Sequence, residues 1–168
     1  SSKILKQENQ IPNSFSSTEI SDGIKQHFSF CWYEFYKFIF SYYFRWRKEF
    51  GDLETLCIGL LLISNASSNK DLILHDISVE KWRKTISFAD KVGLNSMSIS
   101  DVTGIPRPTV VRKVNFLIKK GYAKMDQKKL ISISVEKKVF SKTQKIQEQT
   151  IDEISELIYK ILNKTTIN

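Results

Sequence analysis

The chain has 168 residues, 41% hydrophobic and 26% charged, which suits one globular domain, or a small domain with a helical attachment, and excludes a disordered chain. Six Gly and three Pro argue against a turn-rich barrel or sandwich, two Cys exclude a disulfide scaffold, and two His leave little for a metal site. The net charge of +8 is concentrated: residues 93–138 hold ten Lys/Arg against Asp101, Asp126 and Glu136, a balance of +7.

Residues 1–27 read as a loose polar arm with room for a short helical turn, and with turn signals at Ile11-Pro12-Asn13 and Asp22-Gly23. Residues 28–92 form an aromatic-rich helical region expected to supply core or a dimerisation surface. Thirteen of the 20 aromatic residues fall within 28–50. There Glu34, Lys37, Ser41, Arg45 and Lys48 are spaced 3, 4, 4 and 3, one narrow polar stripe on a helix. The remaining circumference is mostly aromatic, too much to leave on the surface of a monomer. A membrane span would place Glu34 and Lys37 in its middle, at ~2.5–3.5 kcal/mol for each charge near the bilayer centre. No membrane association is therefore expected.

Gly51 can end this helix and Asp52 can cap the next, over residues 53–66, with a loop from Ser64 to Asn69. Residues 71–92 fit one or two helices, with Ser78 as a cap, and Gly93 closes the segment. A small aromatic effector could lodge among Trp32, Tyr36, Phe40 and Tyr43.

Residues 93–138 carry the function. Asn95 or Ser96 can cap a short helix with Ile99 and Val102 as its inner residues, and Gly104 ends it in a tight turn. Arg107 precedes the second helix, and Pro108 suits its first position. Val110, Val114 and Leu117 form its inner seam, and Gly121 terminates it. Strands over 122–125 and 130–134 follow, with Ile131, Ile133 and Val135 alternating with Ser132 and Ser134. The fold class expected is mainly α with a small β-hairpin wing, a winged helix-turn-helix flanked by N- and C-terminal helices.

The stretch Thr103-Gly104-Ile105-Pro106-Arg107-Pro108-Thr109-Val110 through Lys120-Gly121-Tyr122 resembles bacterial winged-helix transcriptional regulators of the MarR and IclR types. The resemblance covers about 40 of the 168 residues. It implies that helix 108–120 enters the major groove of double-stranded DNA and that the wing, 122–134, touches phosphate. Flanking helices on both sides also look MarR-like, where terminal helices build a homodimer.

Within the motif, helical geometry turns Pro108, Arg112, Asn115 and Lys119 away from the seam. Arg107, Thr109, Val111 and Arg112, at the front of the helix, are the candidates for reaching bases. Arg112 can be bidentate to guanine and Val111 can meet a thymine methyl. Lys113, Lys119, Lys128 and Lys129 suit phosphate, which positions a protein without reading sequence.

Residues 139–168 form the C-terminal helical region. Ser141 with Gln144, and Thr150 with Glu153, offer two capping boxes. Ile151, Ile154, Ile158 and Ile161 repeat at 3, 4 and 3, a seam that fits either packing on its own domain or a dimer. No phosphate loop, zinc spacing or nucleophile motif points to an enzyme, and no cofactor is implied. His27 reads as a helix-end residue, His75 as partly buried, and Cys31 and Cys57 as core thiols of a cytoplasmic protein. The function expected is sequence-specific DNA binding by a homodimeric regulator. The rival is a winged-helix module that binds protein or RNA instead.

Overall fold

The computed structural model describes residues 16–68, 77–88 and 93–166. Among them are seven helices and one antiparallel hairpin: α1 (Ser17–Gln26), α2 (Phe28–Phe50), α3 (Leu53–Ser67), α4 (Val79–Phe88), α5 (Ser96–Thr103), α6 (Arg107–Lys120), β1 (Ala123–Met125), β2 (Ile131–Ile133) and α7 (Lys137–Thr166). The fold is thus mainly helical with a small two-stranded sheet. The chain divides into two compact units, cutting α2 after Ser41 and α7 before Thr150. His75 and the first 15 residues of the arm lie outside the described residues.

The larger unit, from Tyr42 to Gln149, holds the hydrophobic core. Apolar α3 supplies Leu56, Ile58, Leu62 and Ala66, against Ile99 of α5, Val110, Val114 and Leu117 of α6, and Ile131 and Ile133 of β2. Asp52 caps α3 by accepting from the Thr55 amide at 2.8 Å, and Ser78 Oγ accepts from the Lys81 amide at the start of α4. Asn95 caps α5 through the Ser98 amide at 2.9 Å. Gly104 then takes φ +71, a conformation costly to any residue with a Cβ, and the chain turns directly into α6. α6 begins at Arg107, so Pro108 occupies its second position; it ends at Gly121.

Val102 does not join Ile99 in the core: it is 69% exposed. A two-turn helix presents only one narrow side to its neighbours, and Thr103 turns its hydroxyl back to the Ile99 carbonyl at 2.6 Å. β1 and β2 pair Ala123 with Ile133 and Met125 with Ile131. On the far side of β2, Leu94 exchanges two 2.8 Å backbone hydrogen bonds with Ile131. Gly93 makes this approach possible, since a Cβ there would lie 2.7 Å from the Ile131 carbonyl oxygen. The obstacle is backbone, not a side chain that can rotate. Gly93→Ala is therefore expected to cost ~1–3 kcal/mol of unfolding free energy, read from denaturant midpoints.

The smaller unit contains α1, the first part of α2 and the last part of α7. The arm is not loose throughout: Ser16 and Glu19 form a capping box, with the Glu19 amide donating to Ser16 Oγ and the Ser16 amide to Glu19. His27 stands at the C-terminal cap of α1. α7 is one helix of 30 residues, which corrects the expected capping boxes. Ser141 and Thr150 sit inside it, where no Gly or Pro interrupts the backbone bonding that a cap would replace.

Within this unit Glu34 and Ser41 of the polar stripe turn toward α7, while Lys37 stays exposed beside Glu34. Glu34 is buried and pairs with Lys160 at 3.2 Å and Lys37 at 3.1 Å, while Ser41 donates to Glu153 at 3.0 Å. Burial would raise the Glu34 carboxyl, but the two ammonium groups outweigh it and hold it below the usual carboxylate range. The aromatic side of α2 consequently faces out. Tyr33, Tyr36 and Phe40 are 62, 59 and 69% exposed, and Ile151, Ile154, Ile158 and Tyr159 of α7 are exposed as well.

Candidate nucleic-acid interface

α6 is amphipathic in the sense the sequence predicts. Val110, Val114 and Leu117 are each at most 1% exposed, which sets the side of the helix that faces the core. That orientation leaves Arg107, Val111, Arg112, Asn115 and Lys119 exposed on the outer side, with Thr109 half-buried at their edge. One surface therefore combines two guanidinium groups, an amide and a branched apolar side chain.

The hairpin adds cations from a second element. Asp126 shapes its turn, accepting the Lys129 amide on its carbonyl at 3.0 Å and the Leu130 amide on its carboxylate at 2.8 Å. Lys128 and Lys129 are exposed in this turn. Lys129 has φ +61, the only positive value at a non-glycine among the described residues. A lysine held there costs ~1–2 kcal/mol that glycine would not incur. Lys124 is a further exposed cation that sequence reasoning passed over. Strand alternation alone does not mark it, because Ala123 packs inward while Lys124 and Met125 are both exposed.

Lys113 behaves differently from the other basic residues. Its side chain is only 14% exposed, and its ammonium pairs with the Asp52 carboxylate and lies 3.8 Å from Glu54. The structure therefore brings Lys113 to the start of α3, away from the exposed cations. At the other end of α6, Lys138 donates to the Lys119 carbonyl at 3.2 Å, a cation on the negative end of the helix dipole.

Cys31 is buried, and burial raises its thiol above the ordinary value, which disfavours the thiolate. Among the described residues no group of three or more His, Cys, Asp or Glu could hold a metal ion. No helix among them is long and apolar enough to cross a membrane. Comparison with protein-family models, curated proteins and solved structures gives no match for this chain.

Proposed function

We propose that residues 93–138 are a winged helix-turn-helix that binds double-stranded DNA sequence-specifically, within a homodimeric transcriptional regulator of the MarR-like kind. α6 is its recognition helix in the major groove, and the hairpin is its wing on phosphate. The observation that carries this reading is the outer side of α6, where Arg107, Val111 and Arg112 stand exposed in the front half of the helix, with Asn115 behind them, opposite its buried seam. The strained lysine at the wing tip supports it too, since a residue kept at a conformational cost points to a use for its side chain.

The dimer is supported by the smaller unit. Tyr33, Tyr36 and Phe40 of α2 and Ile158 and Tyr159 of α7 are all exposed, a large amount of apolar side chain for one small unit to leave in water. Fully burying one such side chain contributes ~1.5–3 kcal/mol. Several together offset an association cost of ~4–15 kcal/mol. A second copy brings the same surface and places two recognition helices on one duplex.

Titration of labelled duplex DNA and of an RNA hairpin across a salt series tests the reading. Duplex binding should weaken steeply with salt, with a slope of log affinity on log salt of about −4 to −5 per protomer if ~4–6 phosphates are neutralised. Replacing Lys128 and Lys129 together by Ala should flatten that slope by up to ~1.8 and leave base preference unchanged. Salt-indifferent binding, or preference for the hairpin, would reject duplex DNA as the partner.

A further inference from the structure

The last two residues of α2 and the two-residue link to α3, Glu49-Phe50-Gly51-Asp52, form a junction, and three of its side chains end on the segment that carries the DNA surface. Asp52 does two jobs with one carboxylate. Oδ1 caps α3 at Thr55, and Oδ2 holds the Lys113 ammonium in the middle of α6. Glu49 is also two-sided: Oε2 accepts from the Tyr122 hydroxyl at 3.0 Å, and Oε1 pairs with Lys142 of α7 at 3.2 Å. Phe50 lies edge-on to the Tyr122 ring at 4.9 Å and is itself buried. Tyr122 stands between the end of α6 at Gly121 and the start of β1.

We infer that this junction is the positioning element of the recognition surface: Asp52, through Lys113, sets the roll of α6, and Glu49, through Tyr122, sets the root of the wing. The inference rests on the DNA reading above. The seam of Val110, Val114 and Leu117 is apolar and non-directional, so it seats α6 without fixing a few degrees of roll. Lys113 is on the flank of that seam and next to Arg112 in sequence, 100° around the helix. A directional ion pair there restrains the roll where the seam cannot. Because both restraints spring from one four-residue junction, helix and wing are held in register with each other. Asp52 also removes Lys113 from the cations offered to phosphate, so the pair favours selective over indiscriminate binding.

Asp52→Asn is the informative variant, because Asn is as good an N-cap as Asp and α3 keeps its start. The affinity ratio between the preferred duplex and random duplex should fall about tenfold, the order expected for losing one coupled pair. Binding to random duplex should tighten, and its salt slope should steepen by about 0.9, the share of one additional phosphate contact. A purely structural loss would weaken both duplexes and leave the slope alone. Tyr122→Phe keeps the ring on Phe50 and should lower the ratio without changing the slope. Ratios and slopes equal to wild type in both variants would overturn the inference. If the wild-type chain binds no duplex, the proposed function fails, and the junction is judged by amide exchange instead. Faster exchange across α6 in Asp52→Asn, with α3 unchanged, would sustain the positioning role; unchanged exchange would overturn it.

Discussion

Phe40→Asp combined with Ile158→Asp will convert the protein to a monomer and weaken binding to its preferred duplex by ~10²–10⁴, the avidity lost when two half-site contacts are uncoupled. Both positions are exposed in the single chain, at 69 and 52%, so the aspartates stay hydrated there and the fold persists. In a dimer the same carboxylates would be buried without partners, which costs several kcal/mol per ion. The polar side of α2 cannot substitute as an interface, because Glu34 and Ser41 are committed to Lys160 and Glu153. Light scattering checks the point directly. The wild-type chain should have twice the 19.6 kDa of one copy, and the double variant 19.6 kDa. A folded wild-type monomer at micromolar concentration would remove the dimer from the proposal. Loss of the dimer on Ile158→Asp alone would place the interface chiefly on α7.

Arg112→Ala will cost ~1–3 kcal/mol on the preferred duplex and much less on random duplex. The difference follows from where α6 puts the side chain. Arg112 stands exposed between Val111 and the seated flank, in the front half of the helix, where a guanidinium can form a fork on guanine N7 and O6. Phosphate is the same on every duplex, so a contact confined to phosphate would be lost equally from both. Equal losses in a paired titration would therefore reassign Arg112 from reading to positioning. Arg107→Ala serves as the comparison, since Arg107 begins the helix and contacts bases only if its side chain turns into the groove.

The central region was legible because its signals are local. Gly104 and Gly121 mark left-handed residues, Asp52 and Asn95 cap the helices that follow them, and Val110, Val114 and Leu117 repeat at helical spacing. Each of these needs no more than a few neighbouring residues to be recognised. The same is true of Ser16 and Glu19, whose capping box could have been found by its spacing alone. Inside α7 the identical spacing misled, because Thr150 and Glu153 sit in an uninterrupted helix.

What escaped depends on partners far along the chain. Lys113 resembles any other cation of the basic stretch until Asp52, 61 residues earlier, takes its ammonium. The stripe of α2 reads as the water-facing side of a helix until Lys160 and Glu153 meet Glu34 and Ser41. Burial of charge is favourable only when paired, and pairing across more than 100 residues leaves no periodic trace in the sequence.

Selection of bound sequences from random duplex DNA, repeated at several salt concentrations, tests the central claim most directly. Two recognition helices in a twofold dimer should enrich a near-palindromic site with half-sites about one helical turn, ~34–36 Å, apart. Enrichment should survive as salt rises, while retention of unselected duplex falls away. Recovery of no common sequence, at salt low enough for the wild-type chain to hold DNA, would contradict sequence-specific recognition by α6.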